Sequence, residues 1–133
     1  MKPKLNGIDH IHVYVSNIED AERWYREVLG FERVEALMSW AVNGGPLTVQ
    51  DPSGNIHLAL FERPGATGSS AIAFGTTGGE FLAWRSQLEN RGLKLRITDH
   101  KLAYSLYFED PDKNLHEITS YDRDFVADAL STE

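Results

Sequence analysis

The sequence predicts an α+β protein made of two similar modules, each with the order strand, helix and three strands. A turn-and-strand unit occurs twice, as LTVQDPSGNIHLALF over Leu47–Phe61 and as SLYFEDPDKNLHEIT over Ser105–Thr119. A helical pattern ended by a glycine also occurs in each half, at Gly30 and at Gly92. Because a repeated unit indicates a duplicated module, we predict one domain over residues 1–133, with modules at about 7–62 and 70–122.

The first module begins with a strand at Ile8–Val15, whose alternation puts His10 and His12 on the face opposite Val13. Ser16 and Glu19 form a capping box, which predicts that the helix starts there. Further strands are predicted at Phe31–Ala36, Ser39–Val42, Leu47–Val49 and Ile56–Phe61. The aliphatic face of the first strand is expected to pack on the helix, so its histidine face is expected to line a polar cavity.

The second module follows a connection rich in proline, glycine and serine, Arg63–Ser70. Thr77 and Glu80 form its capping box, with Phe81, Trp84 and Leu88 on one helix face. Its strands are predicted at Ala71–Thr76, Leu93–Ile97, Ala103–Phe108 and Leu115–Ser120. The two modules together are predicted to form a half-open mixed β-barrel with the helices outside.

Composition excludes several classes of function. The net charge is −7, which argues against nucleic acid and anionic membranes as partners, since both attract basic surfaces. The chain has no cysteine, so disulfides and thiolate metal sites are excluded. Because no apolar run approaches the length of a membrane span and no signal peptide is evident, we expect a cytoplasmic protein.

Two segments carry a resemblance to a known family. The opening DHIHVYV…AERWYREVLGF and the closing YFEDPDKNLHE, together with the doubled module, resemble the vicinal oxygen chelate superfamily over Ile8–Asp122. That group includes glyoxalase I, extradiol dioxygenases, fosfomycin-resistance proteins and bleomycin-binding proteins. The resemblance implies a small-molecule substrate, a divalent metal ion and a homodimer. It is stronger for the fold than for the reaction, because one fold hosts several chemistries.

The resemblance also implies a set of metal ligands. His10 occupies the ligand position on the first strand, and Glu117 occupies the one on the last strand. Many members carry a histidine on the first strand of the second module, where this chain has Ala71. Glyoxalase-like members carry a glutamate on the last strand of the first module, and His57 is the candidate replacement there.

Strand register decides whether His57 faces the cavity. Counted from the Asp-Pro turn, Leu58 would match Glu117 and His57 would face the helix. The apolar pattern favours the opposite interpretation, in which Ile56, Leu58 and Leu60 pack on the helix. A slip of one residue reverses every side chain, so only one interpretation holds. We predict that His57 faces inward.

His10, His57 and Glu117 would form a set of two histidines and one carboxylate. This set is typical of non-haem Fe²⁺, which we favour, and it also accepts Mn²⁺, Zn²⁺ or Ni²⁺. The alternative is that His10 and His12 only line a polar cavity, while His57 is a surface or core histidine.

A second motif resembles the extradiol dioxygenases. Their histidine, tyrosine and ligand glutamate recur at a spacing that His100, Tyr107 and Glu117 match, although Lys113 stands where glycine or proline is expected. The resemblance implies an acid/base role for His100 and a hydrogen bond from Tyr107 to a substrate oxygen. The alternatives are an exposed loop position for His100 and a structural aromatic role for Tyr107.

Three hypotheses for function remain open at this point. The first is a metal-dependent enzyme acting on a small oxygen-chelating substrate, most consistent with a dioxygenase. The second is a glyoxalase-like lyase or isomerase, or a resistance transferase. The third is a metal-free protein that binds a drug-like ligand in an aromatic cavity, which would be lined by Tyr14, Trp40, Phe61, Phe74, Tyr104 and Tyr107.

Overall fold

The computed structural model of the protein describes residues 2–68 and 71–133. The predicted connection Arg63–Ser70 is therefore described only as far as Gly68, and Ser69 and Ser70 lie outside the described residues. The chain forms two compact units, Met1–Thr67 and Gly68–Glu133. Each unit contains one four-stranded sheet.

The first unit contains four strands and two helical segments. In order, these are β1 (Ile11–Val15), α1 (Ile18–Leu29), β2 (Glu32–Arg33), a 3₁₀ helix (Glu35–Trp40), β3 (Leu47–Gln50) and β4 (His57–Glu62). The strand order is β1-β4-β3-β2. Strands β1 and β4 run parallel, and the other neighbours are antiparallel.

The predicted strand at Ser39–Val42 is wrong. The 3₁₀ helix and the turn after it occupy this segment, with Ala41 N donating to Met38 O at 3.1 Å and Gly45 N donating to Val42 O at 2.9 Å. These bonds satisfy the backbone locally, so no ladder partner is needed. Asn43, the residue after the predicted strand, has a φ of 52°, a left-handed conformation that belongs to the turn following the 3₁₀ helix.

The start of α1 also differs from the prediction. The capping residue is Asn17 rather than Ser16, since the Asn17 side chain accepts from Asp20 N at 2.9 Å. Glu62 of β4 accepts from Ile18 N at 2.9 Å, so a second side chain satisfies this helix end.

The second unit repeats the strand, helix and three-strand order and adds a helix. In order, it contains β5 (Ala71–Gly75), α2 (Gly78–Asn90), β6 (Arg96–Asp99), β7 (Tyr104–Glu109), β8 (Leu115–Ser120) and α3 (Arg123–Ser131). The strand order is β5-β8-β7-β6, with β5 parallel to β8. Thr77 caps α2 as predicted, accepting from Glu80 N at 3.2 Å, and Asp122 accepts from Gly78 N at 2.7 Å.

Each sheet buries one face beneath its own helix. In the first unit this face carries Val13, Val15, Leu58 and Leu60, all buried, together with Tyr25 of α1. In the second unit the buried face carries Leu106, Phe108 and Ile118, and α2 contributes Phe81 and Leu88. Trp84, expected on the same helix face as Phe81 and Leu88, is only half-buried.

The predicted α+β class and the two modules are confirmed by these elements. Among the described residues, no helix is both long enough and apolar enough to cross a membrane.

Candidate functional site

Four of the predicted site residues lie on the open faces of the two sheets, away from their helices, and the fifth, His100, lies in the turn between β6 and β7. Strand register shows which positions of the two units are equivalent. Leu58 lies beside Ile11 in one unit, and His116 lies beside Ile72 in the other. Counting from these pairs makes Ala71 the equivalent of His10, as expected from the sequence. It also makes Ala59, rather than His57, the equivalent of Glu117.

The two Asp-Pro turns explain this shift. In the first turn, Gln50 pairs with His57 across the hairpin, whereas in the second Glu109 pairs with Leu115. The first turn is therefore one residue longer, and Asp51 Oδ1 accepts from both Asn55 N and Ile56 N at 2.9 Å. Counting from the aspartate misses this extra residue.

The predicted orientation of His57 is nevertheless confirmed. Leu58 is fully buried, and His57 lines a pocket on the open face together with His10. The pocket has a volume of about 200 Å³, and its other walls include Thr48, Ala59, Leu37 and Trp40. The His57 Nε2 atom lies 3.1 Å from Gln50 Oε1, so this hydrogen bond orients the ring.

His10 is held by contacts on both ring nitrogens. Its Nδ1 atom lies 2.8 Å from Asp9 Oδ2, and its Nε2 atom lies 3.1 Å from the Nε2 atom of His12. The alternation of β1 puts His12 on the same face, where its ring packs on Phe61 with centroids 4.6 Å apart. Sequence analysis assigned no role to Asp9, whose position beside His10 is the only sequence signal for it.

The open face of the second sheet carries a polar row. Glu117 of β8 lies between Ala73 of β5 and Tyr107 of β7. Arg96 of β6 pairs with Tyr107 on the other side. Glu117 Oε2 accepts a hydrogen bond of 2.7 Å from Ser105 Oγ. The carboxylate is half-buried, so it has an internal hydrogen-bond donor and remains accessible to a ligand.

The structure brings His100 and Tyr107 together. The His100 Nε2 atom lies 2.8 Å from the Tyr107 hydroxyl, and the rings are nearly perpendicular, at 84°. The Arg96 guanidinium lies over the Tyr107 ring at 4.0 Å, a cation–π contact. His100 itself is solvent-exposed, at the start of the β6–β7 turn.

An ion pair anchors this turn. Asp99 accepts from Arg123 Nε at 3.1 Å and from Lys101 N at 2.9 Å. The Arg123 guanidinium is the main reason that the pKa of Asp99 falls to about 2. The residue before His100 is thereby tied to α3.

Two aromatic residues do not belong to an open face. Phe74 pairs with the buried Ile118 and stacks on His116, and Tyr104 packs edge-on against Phe81 of α2. The expectation that Phe74 and Tyr104 line the cavity is therefore wrong, because strand alternation turns them towards the helix.

His116 lies on the buried face, next to Glu117 in sequence. Its side chain is fully buried between Phe74 and Phe108. Desolvation lowers the pKa of His116 to about 4, while the Asp110 carboxylate opposes the shift. This imidazole is therefore neutral at physiological pH.

The side chains suit a divalent metal by donor type. The first unit offers imidazole nitrogens and the second offers a carboxylate, and Fe²⁺, Mn²⁺, Zn²⁺ and Ni²⁺ each accept both types of donor. Over residues 2–68 and 71–133, no three histidine, aspartate or glutamate side chains are grouped closely enough to hold an ion.

Two features define the class of this α+β protein. These are the repeated βαβββ module and the donor side chains on the open sheet faces. The sequence matches the model of the Glyoxalase/Bleomycin resistance protein/Dioxygenase superfamily over residues 7–118, and the chain belongs to that superfamily.

Solved structures agree with this fold. An integron cassette protein from the mobile metagenome of a Halifax Harbour sewage outfall is 23% identical, with a TM-score of 0.75, covering 87% of this chain and 99% of that one. Lactoylglutathione lyase from Agrobacterium tumefaciens is 22% identical, with a TM-score of 0.71, covering 88% and 95%. A mutant of the fosfomycin resistance protein FosX from Listeria monocytogenes, complexed with Mn(II) and a dihydroxypropylphosphonic acid, is 15% identical, with a TM-score of 0.72, covering 88% and 93%.

Proposed function

We propose that the chain is a metal-dependent enzyme acting on a small oxygen-chelating substrate, with ring-cleaving dioxygenation as the favoured chemistry. His10, His57 and Glu117 are the proposed ligands, and Fe²⁺ is the favoured ion. When bound, such an ion would hold two neighbouring oxygens of the substrate and draw electron density from them. The superfamily match and the donor types support this proposal.

The contact between His100 and Tyr107 is the observation that favours a dioxygenase. A distance of 2.8 Å from the His100 Nε2 atom to the Tyr107 hydroxyl suits proton exchange between them. Tyr107 is also directly across from Glu117, a proposed ligand. We propose that a substrate hydroxyl gives its proton to the Tyr107 oxygen as the Tyr107 proton moves to His100 Nε2, and that the proton returns by the same route. In the intermediate state the Tyr107 hydroxyl donates a hydrogen bond to the substrate oxygen, and His100 Nε2–H donates one to the Tyr107 oxygen.

Other residues have binding and positioning roles in this proposal. Leu37, Trp40 and Ala59 give the pocket an apolar wall against which a substrate ring would pack and exclude water. The Arg96 guanidinium over the Tyr107 ring limits the ring's motion and so holds the hydroxyl near His100.

Oxygen consumption tests the proposal. The Fe²⁺-loaded protein should consume oxygen with at least one member of a catechol panel and give a yellow ring-opened product. His100→Ala should lower kcat by about 10²- to 10⁴-fold with a small change in KM, because acid/base assistance acts on the transition state. Tyr107→Phe should lower kcat in the same direction. An inactive Fe²⁺-loaded protein across the panel, or unchanged turnover in His100→Ala, would refute the dioxygenase assignment.

A second candidate function is metal-free binding of a drug-like molecule. It is favoured by β5, whose open face carries only Ala71, Ala73 and Gly75 and therefore no metal-binding side chain. The partly apolar pocket of the first unit suits such a ligand. Binding of glycopeptide or aromatic antibiotics in the presence of a chelator, with no dependence on Glu117, would favour this function.

We also propose a homodimer, as the family resemblance implies. Light scattering coupled to size exclusion should give twice the mass of the 15.0 kDa chain. A mass of one chain at micromolar concentration would refute the dimer without affecting the metal proposal.

A further inference from the structure

We propose that His12 of strand β1 is a metal ligand, which forms a two-nitrogen site with His10, the residue just before that strand. The inference rests on the proposed function, since it concerns the same ion, and it adds a ligand that sequence analysis did not assign. It depends only on residues of the first unit. The chemical class of the ligand is a divalent transition-metal ion that accepts imidazole nitrogen, a class that includes the favoured Fe²⁺ as well as the Zn²⁺ and Ni²⁺ used below as probes.

The distance between the two ring nitrogens is the first argument. The Nε2 atoms of His10 and His12 lie 3.1 Å apart, and the ring planes are inclined by only 17°. With metal–nitrogen bonds of about 2.0–2.1 Å, two ligands at about 90° to 110° have nitrogens roughly 2.9–3.4 Å apart. The pair therefore already has the spacing of two adjacent ligands.

Asp9 supplies the second argument. Its Oδ2 atom lies 2.8 Å from Nδ1 of His10, so the carboxylate favours a proton on Nδ1 and leaves an unprotonated Nε2 facing His12. Histidines that bind metals usually donate the other ring N–H to a carboxylate or carbonyl, which raises their basicity. Asp9 is thus a positioning residue for His10.

The third argument is that the His12 ring is supported independently. It packs on Phe61, with ring centroids 4.6 Å apart. Phe61 in turn packs on Tyr14, and the Arg63 guanidinium lies over the Phe61 ring, 5.5 Å from its centroid. A ring fixed before the ion arrives loses little conformational freedom on binding.

The equivalent positions of the second unit have no such pair. Register makes Ala71 the equivalent of His10 and Ala73 the equivalent of His12. The fold itself therefore does not require the histidine pair. A single N–H···N hydrogen bond between the two rings would also have a length near 3.1 Å. An experiment must therefore distinguish a shared proton from a bound metal ion.

Calorimetric titration of untagged, chelator-treated protein with Zn²⁺ makes this separation. His12→Asn keeps a donor for His10 but removes the imidazole, and its Zn²⁺ affinity should fall at least about tenfold. Asp9→Asn should lower the affinity by about 10- to 100-fold, as loss of such a supporting carboxylate usually does. Tyr14→Phe, at the next position on the same strand face, should leave it unchanged.

Long-range ¹H–¹⁵N spectra give a readout that is independent of affinity. On saturation with Zn²⁺, the Nε2 resonances of both His10 and His12 should move to metal-bound shifts. A His12 Nε2 resonance that stays in place, or an unchanged Zn²⁺ affinity in His12→Asn, would overturn the inference.

Glu117→Gln and His57→Asn separate this inference from the proposed function. If they lower the affinity and His12→Asn does not, the proposed ligand set stands and the role of His12 fails. If only His10 and His12 matter, the pair stands and the proposed set fails. If the wild-type chain binds no Zn²⁺ or Ni²⁺, the pair is refuted, and the Fe²⁺ activity assay decides the proposed function separately.

Discussion

The two units share a backbone plan and differ in what their open sheet faces carry. At equivalent positions, the first has His10 and His12 where the second has Ala71 and Ala73. Glu117 of the second is the equivalent of Ala59. The first unit therefore presents imidazole nitrogens, and the second presents a carboxylate and the contacting pair His100 and Tyr107. The two copies of the module carry different polar side chains, while each copy has kept its buried face.

The units also differ in what borders the open face of the sheet. In the first, residues 34–46 between β2 and β3 contain a 3₁₀ helix that places Leu37 and Trp40 in the pocket wall. In the second, residues 100–103 form only a short turn between β6 and β7. His100 is consequently exposed and near Tyr107, whereas His57 lies within a pocket.

The largest expected effect concerns the buried faces, where Leu58 is equivalent to His116. His116 takes up its proton at a pKa of about 4 in the native protein, against 6.5 for the unperturbed group. Acid therefore favours the unfolded chain, and the stability present above about pH 6.5 is lost as the pH falls towards 4. We expect the His116 imidazole to lower the free energy of unfolding by about 2 kcal/mol between pH 7.5 and pH 5.

Urea unfolding of chelator-treated protein at both pH values measures this effect. His116→Leu, which copies the first unit, should reduce the loss on acidification by about that amount. If wild type and variant lost the same unfolding free energy on acidification, His116 would titrate normally. The buried faces of the two units would then not differ in their response to pH.

The next effect concerns the alanine that replaces a family histidine. Ala71 lies one row from Glu117 on the same open face and is exposed. Ala71→His would give the second unit the imidazole that the first has at His10, and we expect metal affinity to rise about tenfold, roughly 1.4 kcal/mol. Calorimetry with Zn²⁺ measures it, with Ala71→Gln as the matched control. A rise in the control but not in the histidine variant would contradict the equivalence.

The smallest effect concerns the helix ends, which the two units build alike. Asn17 and Thr77 each accept a hydrogen bond from the third residue after them. Replacement of either by alanine should cost about 1 kcal/mol of unfolding free energy. Hydrogen exchange should show faster exchange at the first turn of α1 in Asn17→Ala and of α2 in Thr77→Ala. Equal protection in wild type and variant would show that Glu62 and Asp122 suffice as caps.

The sequence was sufficient for the regular parts of the fold. Strand β8 lies at Leu115–Ser120, as predicted, because alternating apolar residues and a strong turn signal bound it. The strand at Ser39–Val42 was wrong, since the left-handed Asn43 and local hydrogen bonds outweigh β propensity there. The start of α1 was one residue off because asparagine and serine are equally good caps.

The candidate site was predictable in part. The motif spacing selected His100 and Tyr107, although it did not predict the contact between them, and the direction of His57 follows from the apolar pattern. The position equivalent to Glu117 could not be found by counting, because the first turn has one extra residue. The Nε2 contact between His10 and His12 depends on rotamers, which a strand pattern does not specify.

Metal content of natively purified, untagged protein tests the central claim most directly. The account predicts about one divalent ion per chain by elemental analysis, bound through nitrogen and oxygen. Glu117→Gln removes the only proposed anionic ligand and should lose most of that ion. Absence of metal from the wild-type protein, or full occupancy in Glu117→Gln, would contradict the proposed site and favour the metal-free binding function.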